Sequence, residues 1–169
     1  MVPESSDRSA LGVLPPDCAP QLLKLYDHWQ SLRPAPDLLP GRQHFDPAAV
    51  PRLLPWIFLL DAMRDPWRFK YRIFGTEMVR AAGLDLTGHF LGEPHPDFQS
   101  LPHLRQYVTA AEEKVIAYHA GAPVVYKDRN FLHLERLVLP LARDGKTVDM
   151  LLGIMSFKLR WPSVGSRAV

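Results

Sequence analysis

Along residues 131–159 apolar side chains fall on nearly every second position, in two runs, 131–141 and 147–159, parted by Arg143-Asp144-Gly145-Lys146. Period-two alternation sends successive side chains to opposite faces of an extended chain, so each run predicts a strand. Asp-Gly between such runs predicts a hairpin, because the central turn positions want positive φ. Both arms are apolar partly on both faces, which suits central strands of an antiparallel sheet. The rest of the sheet is expected to grow outward from this pair.

The period changes upstream. Leu22, Leu25, Tyr26, Trp29 and Leu32 recur at steps of three and four, with Pro20 in the first turn and Arg33-Pro34-Ala35-Pro36 as the stop. This predicts an amphipathic helix from residue 17 or 19. Its stripe has two readings: it packs on the chain's own sheet, or Leu22, Leu25, Tyr26 and Trp29 form a homodimer interface. Asp46-Pro47 opens a short second helix that stops near Pro55. Residues 56–61 and 67–74 predict two strands joined through Arg64-Asp65-Pro66. In the second, Phe69, Tyr71 and Ile73 share one face, and Arg68, Lys70 and Arg72 the other. Residues 77–82 predict a short helix closed by Gly83.

Residues 100–120 predict the longest helix, with Leu104, Val108, Ala111, Val115 and Tyr118 as its stripe and Gly121 beyond its end. One more strand is expected at 122–127. The division is then a flexible tail at 1–16, the two helices at 17–54, a core at 55–159 and a second tail at 160–169. The fold class is α+β: a five-stranded antiparallel sheet with a helical cover and an N-terminal helix.

Composition narrows the function. A net charge of +2 over 169 residues is too slight to argue for nucleic acid or a membrane surface as a partner, and neither is expected. The rings and cations of strand 67–74 also point to opposite faces, whereas a base-stacking platform needs them on one. The single Cys18 leaves no internal disulfide and fits a reducing compartment. Residues 1–9 lack the apolar core of a signal peptide, and the apolar run 53–60, broken by Pro55, is far short of the ~20 residues a membrane span requires. A cytoplasmic location is expected.

The element order, with the run "YRIFGT … G-x-D-x-T-G … G-A-P-V … ERLVLPLARDG-x-T-V-D-M-L-L-G", resembles a PAS domain. It is similar to a family of single-domain bacterial PAS-like proteins, best known from alphaproteobacteria, over roughly residues 20–158. The resemblance implies a sensory or adaptor module in bacterial signal transduction, sensing a small molecule or contacting a partner such as a histidine kinase. The alternatives are a ligand-free dimerisation module and an enzyme.

Candidate chemistry is sparse. Gly145-Lys146-Thr147 is no phosphate loop, because position 140 is Pro and a strand follows. No histidines pair at metal-ligand spacing, so no metal site is expected. Haem of the kind some PAS sensors hold would need His103 or His119, at the two ends of the expected helix, where solvated histidines are the commoner case. PAS-type flavin photochemistry needs a reactive Cys within the helical cluster of the core, and Cys18 lies outside that core; the cofactor is unknown, with neither haem nor flavin favoured. No nucleophile–base set suggests catalysis. Glu135 and Arg136 must alternate onto opposite faces. Arg72, Glu135 and Asp149, all expected mid-strand, are read as a structural ion-pair cluster that fixes strand register. The alternative is that Arg136 faces a cavity and greets an anionic ligand, with Tyr71 and Tyr107 as companions.

Overall fold

The hairpin at the end of the chain is the middle of the sheet. β5 (Leu132–Leu141) and β6 (Met150–Leu159) pair antiparallel from Leu132↔Leu159 to Leu141↔Met150. Gly145 takes φ +78°, and the Asp144 carboxylate accepts from the Lys146 and Thr147 amides at 2.8 and 2.6 Å. Those amides, spent on the turn, delay the second arm to Met150 and hold the Asp144 carboxyl down to about 2. The computed structural model describes residues 8–93, 102–122 and 132–159.

β2 (Ile57–Met63) pairs with β6, and β3 (Arg68–Phe74) with β2. On the other side β4 (Ala117–Gly121) pairs with β5, and β1 (Arg8–Leu11) with β4. The order is β1-β4-β5-β6-β2-β3, and every neighbour is antiparallel. The sheet therefore has one strand more than expected.

Two boundaries differ from the sequence pattern. Arg8–Leu11 is a strand where a flexible tail was expected, held to β4 and tied by the Arg8 guanidinium to Asp17 at 2.9 Å. The long helix is also shorter: α3 spans Pro102–Glu113, and Lys114, at φ +59°, breaks it. Glu112 and Glu113 oppose the negative end of the helix dipole, and β-branched Val115 and Ile116 favour extension into β4. Of the strand expected at 122–127, Ala122 lies in a bend and the rest falls outside the described residues, as does the tail at 160–169. The short second helix is a 3-10 turn, Pro47–Ala49, where Asp46 accepts from the Ala48 amide at 2.9 Å.

Register sorts the sheet into two faces. Tyr118, Glu135, Leu137, Leu139 and Ile154 share one, covered by α1 (Pro20–Ser31). Leu22, Leu25 and Trp29 are buried there, and the Trp29 indole donates to the Pro140 carbonyl at 3.0 Å. The other face carries Phe58, Phe69, Tyr71, Phe74, His119, Arg136, Val138 and Met155, under α3 and α2 (Thr76–Ala82). α2 ends at Gly83, whose φ of +74° supplies the left-handed cap. Beneath this face Gly153 leaves room for Phe58: a Cβ there would sit 1.9 Å from the ring. Among the described residues no helix is long and apolar enough to cross a membrane.

Candidate functional site

Arg136 is the buried cation of the face under α3, only 4 % exposed. β5 delivers it there because its neighbours Glu135 and Leu137 take the opposite face. Its guanidinium carbon lies 4.6 Å from the centre of the Tyr107 ring, and its Nη2 donates to Gln106 Oε1, both groups on α3. Its Nε has no hydrogen-bond partner, and no ion pair to Arg136 forms among the described residues. A buried guanidinium is costly unless an opposite charge or several acceptors meet it.

A directional chain of donors runs from it. Gln106 Nε2 donates to Ser9 Oγ on β1 at 2.9 Å, and Ser9 Oγ lies 3.1 Å from His119 Nδ1 on β4. Ser9 Oγ accepts from Gln106 and has both a proton and a second lone pair left, so it pairs with His119 Nδ1 in either tautomer of the ring. Burial, reinforced by Arg136, His103 and His133, lowers the His119 pKa to about 3, so the ring is neutral at pH 7. The His103 ring stands edge-on to it at 4.5 Å.

The two histidines are thus in contact on different elements, not at opposite ends of one helix. Among the described residues no three metal-ligating side chains converge. The stripe of α3 is also phased differently. His103, Tyr107, Ala110 and Ala111 are buried, whereas Leu104 and Val108 are half-buried. Polar His103 and Gln106 on the inner face disguised the phase. Counting His103 and Tyr107 as an i, i+4 pair would have recovered it.

All three expected ligand residues lie between sheet and helix, but only two meet. Tyr107 touches Arg136 and, at 6.0 Å between ring centres, Phe69. Burial raises the Tyr107 hydroxyl pKa, an effect Arg136 partly opposes. Tyr71 is on the same sheet face three strands away, about 14 Å at the usual spacing. There it packs edge-on against Phe58 and Phe74 at 6.2 and 5.1 Å. A cleft of about 400 Å³ at the β3 edge, lined by Trp67, Phe69, Phe90, Leu91 and Leu104 with Arg68 and Glu93, reaches Phe69 from outside. Its volume is within the range of small-molecule sites.

Of the expected cluster, Arg72 and Asp149 line one surface pocket with Asp61, while Glu135 lies apart on the α1 face of the sheet. A bulge between Leu59 and Leu60 brings Arg72 to Asp61 at 2.9 Å, and Asp149 is exposed before β6. Glu135 accepts instead from the Ala19 amide at 2.8 Å and the Tyr118 hydroxyl at 3.1 Å. Of the four residues named for a dimer contact, Leu22, Leu25 and Trp29 are covered by the chain's own sheet, and only half-buried Tyr26 keeps surface free.

An antiparallel sheet covered on one face by the segment between β3 and β4, and carrying an N-terminal helix on the other, defines a PAS-type domain. The family model described as PAS domain matches residues 18–156, and the chain belongs to that family. Among solved structures it is similar to one titled "Structure of an RNA-binding Light-Oxygen-Voltage Receptor", at 15% identity and a TM-score of 0.46. The alignment covers 91% of this chain and 39% of that one. No curated protein matches the sequence.

Proposed function

We propose that this chain is a non-catalytic, cytoplasmic sensory module of bacterial signal transduction that takes a small carboxylate-bearing ligand between α3 and the sheet. Arg136 is its anion receptor, Tyr107 the aromatic wall over the guanidinium, and Tyr71 a more distant part of the same lining. The single observation behind this reading is the buried Arg136 guanidinium, which has a neutral carboxamide for its acceptor and no counterion among the described residues. A carboxylate would supply the charge-assisted hydrogen bonds that Gln106 cannot. The output is contact with a signalling protein such as a histidine kinase, with the chain acting as a homodimer through the α1 side, where Tyr26 is the free member of the stripe.

The test is a melting-temperature screen of the purified protein with acetate, succinate and benzoate, repeated on Arg136→Met. A rise in melting temperature with wild type and none with the variant supports the reading. A flat wild-type response to all three, with an unchanged native mass, would sink it.

A further inference from the structure

The N-terminal strand is wired to the anion site. β1 is only four residues long and sits on the outer edge of β4, where the sheet alone holds it weakly. Three further ties fix it. The Gly12 amide donates to the Ile116 carbonyl at 2.8 Å, and Arg8 grips Asp17 with both Nη groups at 2.9 and 3.2 Å. The third tie is Ser9, which accepts from Gln106 and faces His119. Gln106 therefore serves both ends: its Oε1 accepts a hydrogen bond from Arg136 while its Nε2 donates to Ser9.

The two roles of one carboxamide cannot be separated. Arg136 N–H to Gln106 carbonyl fixes which end of the amide faces β5, and that leaves the NH2 end aimed at β1. Hydrogen bonds aligned head to tail in this way polarise and strengthen one another. We infer that Gln106 is a positioning residue through which occupancy of Arg136 controls the docking of β1. A carboxylate that takes the guanidinium leaves the carboxamide without its donor and free to rotate, which loosens Ser9 and with it the strand. Linkage requires the converse: a chain whose β1 is already loose binds the anion more tightly. The inference rests on Arg136 being the anion site only for its trigger; the wiring itself is present without ligand.

The experiment is hydrogen–deuterium exchange on the full chain, read at residues 8–12 and 117–121, with the β2–β3 hairpin as an internal control. Gln106→Leu removes both links, Ser9→Ala removes the last, and Arg136→Met removes the first. Each is expected to speed exchange of the β1 amides about two- to tenfold, the net contribution of one hydrogen bond, while the control stays unchanged. Ser9→Ala changes an exposed side chain, so it reports even where a variant under α3 folds poorly. Unaltered β1 exchange in Ser9→Ala and Gln106→Leu would overturn the inference. The ligand arm uses succinate on wild type. A melting shift with no change at β1 overturns the inference and leaves the sensor standing. Faster β1 exchange in the variants with no carboxylate response upholds the wiring and sinks the sensor.

Discussion

Glu135 and Arg136 are neighbours on β5, each 4 % exposed, yet they serve opposite layers of the domain. Strand pleating sends Glu135 to the start of α1 and Arg136 to α3, so two adjacent opposite charges do not neutralise one another. The carboxylate is satisfied by an amide and a hydroxyl; the guanidinium keeps an unpartnered Nε among the described residues. One strand thus carries an anchor on one face and the proposed anion receptor on the other.

The receptor is expected to be a liability in the empty protein. A buried charge without a counterion carries an uncompensated desolvation cost, so replacing it with an apolar group of similar length should be neutral or stabilising. Arg136→Met should hold or raise the urea midpoint while removing any carboxylate response. A loss of 3 kcal/mol or more, on the order of a broken buried pair, would show the guanidinium to be a structural partner instead.

The anchor should behave the other way. Glu135→Ala strands the Ala19 amide and the Tyr118 hydroxyl in the interior, a cost of about 2–4 kcal/mol for two hydrogen bonds to a charged acceptor. Glu135→Gln keeps an oxygen acceptor and should recover part of that. Because burial and Glu135 both push the Tyr118 hydroxyl pKa up, it should fall on Glu135→Gln. An ultraviolet titration of tyrosine ionisation reads this directly.

His119 sets an acid limit. Its pKa lies near 3 in the folded chain and near 6.5 in a model peptide, so the unfolded state binds the extra proton first. The stability it contributes is complete above about pH 6.5 and is lost as the pH falls toward 3, by at most about 1.4 kcal/mol per pH unit. His119→Gln should flatten that part of the stability–pH curve, measured by denaturant melts between pH 7 and pH 4. An unchanged slope would assign the acid transition to other groups.

Gly153 should tolerate no side chain while Phe58 is whole. A Cβ at 1.9 Å from the ring forces Phe58 out of a fully buried position, which costs about 1–3 kcal/mol as overpacking. Phe58→Leu opens space, so the double variant should be more stable than the sum of the two single losses predicts, by about 1 kcal/mol of coupling. A double-mutant cycle in urea measures it.

What the sequence reveals follows the range of the interactions involved. The β5–β6 hairpin, the Gly83 cap and the α1 stripe are local, written in a turn dipeptide, a glycine and a helical period. β1 has no such signature: Arg8-Ser9-Ala10-Leu11 lacks a β pattern and is a strand only because β4 offers an edge. The end of α3 was legible in Glu112-Glu113 and Val115-Ile116, but the following apolar residues fit a helical stripe equally well. Arg136 and Tyr107 could be named from the residues alone; their contact could not. The chain through Gln106 joins residues 97 and 30 positions apart, which only the folded sheet brings together.

The most discriminating substitution is Gln106→Glu, because it gives Arg136 a counterion while leaving both ends of the side chain with a partner. The introduced carboxylate keeps an acceptor for Arg136 and turns a charge–dipole contact into an ion pair, so the buried cation gains its counterion. Stability should rise by about 1–3 kcal/mol, as for a hydrogen bond made between charged groups. Pairing depresses the folded pKa of that carboxyl, so the gain is present above about pH 4.3 and is lost as the pH falls through the depressed value. The carboxylate accepts from the Ser9 hydroxyl where the carboxamide donated to it, so the link to β1 is kept with its direction reversed and β1 exchange should stay close to wild type. Succinate should no longer raise the melting temperature, because the receptor is already occupied from within. A variant that is stabilised and still answers succinate would place the ligand somewhere other than Arg136.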